Sequence, residues 1–223
     1  MVWLLFYLRK DQHPESNSQV LKIFFYGMLI ALPAILLELG ITQGINKLGF
    51  SPVFLSFLNI FLGVALVEEV LKFLVVKEKV LNHAEFDEPI DVVLYMIIAA
   101  LGFAAFENIL VLLPLGPNFF IGKTVSVSLL RFLGATFLHT LCSGTVGYFL
   151  ALALFNVKNR TKLICLGLGI SILLHGFYNF YIMKIEESFQ FILIPSFILI
   201  GLAVFLTFGF KKLRKMKSVC KIQ

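Results

Sequence analysis

The sequence predicts an all-α fold: a polytopic transmembrane helix bundle of six full spans, with a short apolar stub at its N-terminus. Three observations carry this. Of the 223 residues, 59% are hydrophobic and 14% charged, a balance outside the range of soluble domains. The apolar residues gather into runs long enough to cross ~30 Å of hydrocarbon, which takes roughly 20 helical residues. The charged residues sit between these runs in short patches and do not line solvated faces.

In chain order, the runs cover residues 20–41, 51–76, 90–113, 124–155, 162–184 and 190–210. Before them, Met1–Leu8 (MVWLLFYL) is apolar but too short to cross. Its basic residues Arg9 and Lys10 follow the apolar part, the reverse of a signal peptide, so it reads as the tail of a first helix. Prolines interrupt locally, at Pro33 in the first span, Pro114 and Pro117 between the third and fourth, and Pro195 in the last. The whole of 1–223 forms one membrane domain: a stub and basic loop (1–19), the bundle (20–210) and a basic tail (211–223).

The net charge of +6 is distributed by side. Arg9 and Lys10, Lys77 and Lys79, Lys158, Arg160 and Lys162, and the tail Lys211, Lys212, Arg214, Lys215, Lys217 and Lys221 all fall on one side of a six-span zigzag. The other side holds Lys47, Lys123 and Lys184. By the positive-inside rule the tail and the loop 77–89 are cytoplasmic. A basic tail beside a bilayer meets anionic lipid, and no nucleic-acid partner is expected. Cys142, Cys165 and Cys220 have neither a CxxC spacing nor even pairing, so neither a disulfide framework nor a structural zinc site is expected.

Ionisable groups inside the spans carry the chemistry, because a charge there costs a few kcal/mol unless it serves a polar site within the bundle. Glu68 and Lys72, four residues apart on one helix, are spaced for an ion pair. Glu69 points about 100° away and is expected to lack that partner. A lone Glu68–Lys72 pair would be explained by helix register, but a second acid beside it has no such use. Two adjacent acids, one paired and one not, suit acid–base chemistry. His139 and His175 lie in later spans with apolar flanks, where a single histidine is ordinarily a hydrogen-bonded core residue. His175 shares a face with Asn179, one turn on, and the two are placed to donate jointly to an oxyanion. Arg131 lies two turns before His139, and Glu107 is its expected partner across the helices. No HExxH, GxGD or GxSG pattern is present, which leaves a Glu/His site acting on water.

The ordered set of segments resembles the motifs of the PrsW intramembrane proteases over about residues 6–210. These are VEEVLKF (Glu68, Glu69, Lys72), FDEPIDVVLYMIIAALGFAAFENI (Asp91, Glu107, Asn108), RFLGATFLHTLCSGTVGYFLA (Arg131, His139) and LLHGFYNF (His175). The wider CAAX-protease and bacteriocin-processing superfamily has a double Glu, a His, then a His with Asn four later, and a Phe four before the first His. Here Ala135 takes the place of that Phe. The resemblance implies an intramembrane endopeptidase in which Glu69 or Glu68, with His139, activates water while His175 and Asn179 hold the scissile carbonyl. It gives Lys72, Glu107, Asn108, Arg131 and Asp91 supporting roles. The family's best-known substrate is a single-span anti-sigma factor, cut at its extracytoplasmic side in a stress-signalling cascade.

Glu69, His139 and His175 are also zinc-ligand types. A cation beside Lys72 and Arg131 would add to two fixed positive charges, however, so a glutamate mechanism without metal is expected. A proton-coupled transporter or a non-catalytic scaffold would also bury such groups, but the paired, broken halves of transporters are absent. By residue count Glu68 and Glu69 fall in the inner half of the bilayer and the histidines near mid-span. That depth fits an extracytoplasmic cut only through a deep cavity or a reversed orientation.

Overall fold

The computed structural model describes residues 16–81, 88–112, 131–185 and 188–216. The expectations for the stub Met1–Leu8, for residues 124–130 of the fourth span, for Lys123 and for the tail beyond 216 lie outside the described residues. Among the described residues six helices are long and apolar enough to cross a membrane, and there is no strand.

Helix α1 (Asn17–Ile45) starts at Ser16, whose hydroxyl accepts from the Gln19 N–H at 3.2 Å and satisfies one of the free donors of the first turn. Helix α2 (Pro52–Lys79) opens on a proline, which suits a first turn, and carries a π-helical stretch at Asn59–Ala65 before resuming at Leu66. Helix α3 (Pro89–Leu112) is buried continuously from Pro89 to Ala104, so it is apolar all round, with no polar face. Helix α4 (Ala135–Phe155) follows a break at Gly134, with one helical turn at Arg131–Leu133 before it. Helices α5 (Arg160–Ile182) and α6 (Leu193–Leu213) each follow a short 3-10 turn.

The helices alternate in direction. Gln19 at the start of α1 donates to the Lys79 carbonyl at the end of α2 (3.4 Å), while Asn59 near the start of α2 bonds Asn46 just past α1 (2.9 Å). All the described basic loops therefore lie at one end of the bundle, called here the basic end. Helix α3 is the central post. Gly27 of α1 faces the Ala99 backbone and Gly102 faces the Phe24 carbonyl, both too close for any Cβ, and Gly147 of α4 lies against Val93. Small residues at these crossings let backbones approach where lipid supplies no hydrophobic drive.

Candidate active site

The π-helical stretch widens α2 by one residue just before the double acid, a kind of bulge that recurs at functional sites. Beyond it, Glu68, Glu69 and Lys72 face inward. Glu68, Glu69, His139 and His175 are all buried, and one ligand-type atom from each lies within 4.8 Å of the other three. At their centre is the Lys72 ammonium, fully buried. It donates to Glu68 Oε2 at 2.9 Å, Glu69 Oε1 at 2.9 Å and His139 Nδ1 at 2.8 Å, and sits 4.4 Å from the Phe103 ring centroid. The expectation that Glu69 lacks Lys72 is therefore corrected. An i,i+3 pair is also a helical neighbour, and the long lysine chain reaches both acids.

Lys72 has three N–H donors and no acceptor, so His139 Nδ1 must be accepting and the imidazole proton belongs on Nε2. That nitrogen donates to Glu107 Oε2 at 2.9 Å. Glu107 pairs in turn with Arg131 (Nη2 to Oε1, 2.9 Å), as expected across the helices. Arg131 Nε donates to Asn108 Oδ1 at 2.6 Å, and Asn108 Nδ2 donates to Thr136 at 3.1 Å. The Arg131 Nη2 atom is buried without an aligned hydrogen bond, so its contact with Glu107 is an ion pair by distance alone.

Glu69 accepts from Lys72, from Ser143 Oγ (3.1 Å) and from His175 (Nδ1, 3.0 Å). With Nδ1 donating, His175 presents a lone pair at Nε2, which lies 4.0 Å from Glu68 Oε2. In that tautomer the ring can accept a proton at Nε2, a second use beside the oxyanion role expected for it. Asp91 does not join this group. Its carboxylate accepts from the Glu88 N–H at 2.7 Å, at the start of α3, and 16 residues of helix, ~24 Å, separate it from Glu107. Two participants were missed. Ser143 supports Glu69, and Glu38 on α1 stands within electrostatic reach of Glu68, Glu107 and Lys72. An acid in an apolar span was the signal for Glu38, the same one that singled out Glu68 and Glu69. Cys142 is buried among core hydrophobics beside the site.

A cavity of about 730 Å³ reaches the cluster, and Glu68, Glu107, Arg131, His139, His175 and Asn179 are among its lining residues. Its upper walls are the end of α5 at Ile182, the 3-10 turn at Ile192 and the start of α6 at Pro195. It therefore opens away from the basic end. The histidines are not at mid-span: His139 is about one turn into α4 and His175 about two turns before the end of α5. The break at Gly134 sets this level.

The four donor atoms are spaced for a single ion, but the Lys72 ammonium already holds three of the four groups at 2.8–2.9 Å. A second cation there would meet a fixed positive charge at contact distance in a dry environment. The four groups are a donor set that could hold a metal ion, but in this arrangement the ammonium stands among them, and a metal would require Lys72 to move aside.

Comparison with known proteins agrees with the ordered motifs. Residues 15–208 match the family described as PrsW family intramembrane metalloprotease. The Protease PrsW of Bacillus subtilis (strain 168) is 31% identical over 220 residues, covering 98% of this chain and 91% of that protein. The Protease PrsW of Geobacillus kaustophilus (strain HTA426) is 33% identical over 183 residues, 82% of this chain and 75% of that one. The Protease PrsW of Oceanobacillus iheyensis is 31% identical over 191 residues, 86% of this chain and 82% of that one. No solved structure matches.

Proposed function

The chain belongs to the PrsW family of intramembrane proteases, and we propose that it hydrolyses a peptide bond of a single-span membrane protein with a water activated by Glu68 and His175. The family makes it an enzyme, and the six apolar helices make it a multi-pass membrane protein. One observation carries the catalytic reading. Across a 4.0 Å gap Glu68 Oε2 faces the open nitrogen of His175, and both residues line the cavity. That gap suits a water held by both groups.

His175 Nε2 takes the water's proton as the oxygen attacks the scissile carbonyl, while Glu68 orients the water and balances the imidazolium. The oxyanion forms against Asn179 and the guanidinium of Arg131, both on the cavity wall. Collapse breaks the C–N bond, and His175 returns its proton to the leaving amine. His139, held between Lys72 and Glu107, fixes the position of the lysine that orients both acids. Glu69, enclosed by three donors, fixes the tautomer of His175. No step passes through a metal.

With the basic end in the cytoplasm, the cavity opens to the extracytoplasmic side, and the C-terminal tail is cytoplasmic. An anti-sigma factor with one span, cut near its outer membrane boundary, is the proposed substrate. The test is co-expression with such a factor tagged at both ends. The parent should release an N- and a C-terminal fragment, and Glu68→Gln, which removes the charge that orients the water and balances the imidazolium, should lower the rate about 10²–10⁴-fold, while eluting as a folded protein. Full activity in Glu68→Gln would overturn the mechanism.

A further inference from the structure

We propose that the cleft between α5 and α6 holds the transmembrane helix of the substrate, and delivers the outer end of that helix to the cavity; this rests on the protease reading above. The cleft, about 490 Å³, is floored by Thr145 and Phe149 of α4 and walled by Ile170 and Leu174 of α5 and by the α6 face around Ile198 and Gly201. Thr145 turns its hydroxyl back onto the Leu141 carbonyl at 2.9 Å, so the floor is apolar too.

Cleft and cavity share both walls. On α5, Ile170 and Leu174 line the cleft, and Tyr178 and Ile182 line the cavity. Their four-residue spacing makes them a single stripe on one face of the helix. On α6, Leu199 lines the cavity while Ile198 and Leu202 line the cleft. A partner lying in the cleft is thus led along α5 towards Glu68 and His175.

Helix α6 is shaped for this. Its lower half is fixed to α4, with Leu206 against Gly144 and Tyr148 against Gly209. In its upper half Pro195 is buried and Ile198 and Leu199 pack against the core, while Phe197 on the cleft side is 71% exposed. Gly201 lies in the cleft, and a Cβ built on it meets no atom within 4 Å. Glycine is a poor helix former, and among the described residues none comes within 4 Å of a Cβ at Gly201. In membranes such a residue marks a place where another helix's backbone comes close. From Ile194 to Phe205 the cleft runs 11 residues along α6, ~16 Å, about half of a hydrocarbon core. A single-span helix docked there has its outer end level with the cavity, so the scissile bond lies within about two turns of that end.

The probe is the doubly tagged single-span anti-sigma factor, with benzoylphenylalanine placed at Phe197 or Ile170 in the Glu68→Gln protein. Leu36 on α1, equally exposed at 71%, is the control. Ultraviolet light should give an enzyme–reporter adduct from Phe197 and Ile170 and none from Leu36. In the active protein, Gly201→Phe should fill the cleft and cut reporter cleavage at least tenfold. The same change at Gly40, where a Cβ also meets open space, should leave it within twofold. Adducts to lipid alone or to a second copy, or Gly201→Phe cleaving like its parent, would overturn the docking while leaving the protease reading intact. A folded parent protein that never cleaves the reporter removes the protease reading, and this proposal with it.

Discussion

Replacing Lys72 with Met is the most informative perturbation of this molecule. Methionine has a similar length and no charge, so the main loss is the ammonium and its three hydrogen bonds. Each carboxylate contact at 2.9 Å is a gross attraction on the order of 6 kcal/mol at an effective dielectric of about 20. Desolvation of the three ions offsets much of the two contacts, and removing one partner of a buried charge group typically costs a net 3–5 kcal/mol. At about 2–4 °C per kcal/mol for a chain of this size, Lys72→Met should lower Tm in detergent by roughly 6–20 °C. The cause is two carboxylates left facing each other, so adding Glu69→Gln should recover part of the loss. The double-mutant cycle should return a coupling of about 1–3 kcal/mol. Scanning fluorimetry on the purified proteins reads all four corners. If Lys72→Met melts within about 2 °C of the parent, Lys72 does not hold the acids together, and the argument against a resident metal falls too.

Three further outcomes are expected. Exhaustive chelation of the purified protein should leave reporter cleavage unchanged; activity lost to a chelator and restored by zinc would make His139, His175 and an acid its ligands and displace Lys72 from the centre. Gly102→Ala puts a methyl against the Phe24 carbonyl, so the α1–α3 crossing must open, at a cost of about 1–3 kcal/mol, read as a lower Tm without a change in cleavage site. Single cysteines at Lys158 and Lys215 should react with a membrane-impermeant maleimide only in broken cells; labelling of intact cells would invert the proposed orientation and turn the cavity to the cytoplasm.

Much of the site was legible because charge is scarce in a membrane span. Glu68, Glu69, Lys72, His139 and His175 stood out against their apolar flanks, and the structure gathers all five. Arg131 and Glu107 were paired by their similar depth, and they meet at 2.9 Å. Other features left no such mark. The π-helical stretch Asn59–Ala65 (NIFLGVA) reads as an ordinary apolar run, since nothing in its composition asks for an extra residue per turn. Asp91 shares a motif with Glu107 along the chain, but a straight helix keeps them ~24 Å apart. The tie between Glu69 and Lys72 was lost by treating side chains as rigid spokes. A lysine's four methylenes cover the angle between i+3 and i+4. The level of His139 depended on a helix break at Gly134, which an apolar run drawn as one span conceals.

The enclosed charges also support the choice of Glu68 as the carboxylate that holds the water in the proposed mechanism. Three acids, Glu68, Glu69 and Glu107, face two permanent cations, Lys72 and Arg131, so with each histidine counted in its neutral tautomer the hydrogen-bonded group carries one surplus negative charge. Glu69 is enclosed by Lys72, Ser143 and His175. Glu107 is flanked by Arg131 and the His139 Nε2–H. Glu68 has one hydrogen bond, to the shared lysine, without the further donors of Glu69 or the added guanidinium of Glu107, and like Glu107 it lines the cavity, so the surplus falls where water enters. A proton released by that water reduces the imbalance instead of adding to it, and His175 is the open base beside it. A cluster with equal numbers of acids and cations would have no such preference, and a bundle that needed only to neutralise its buried charge would not have kept the third acid.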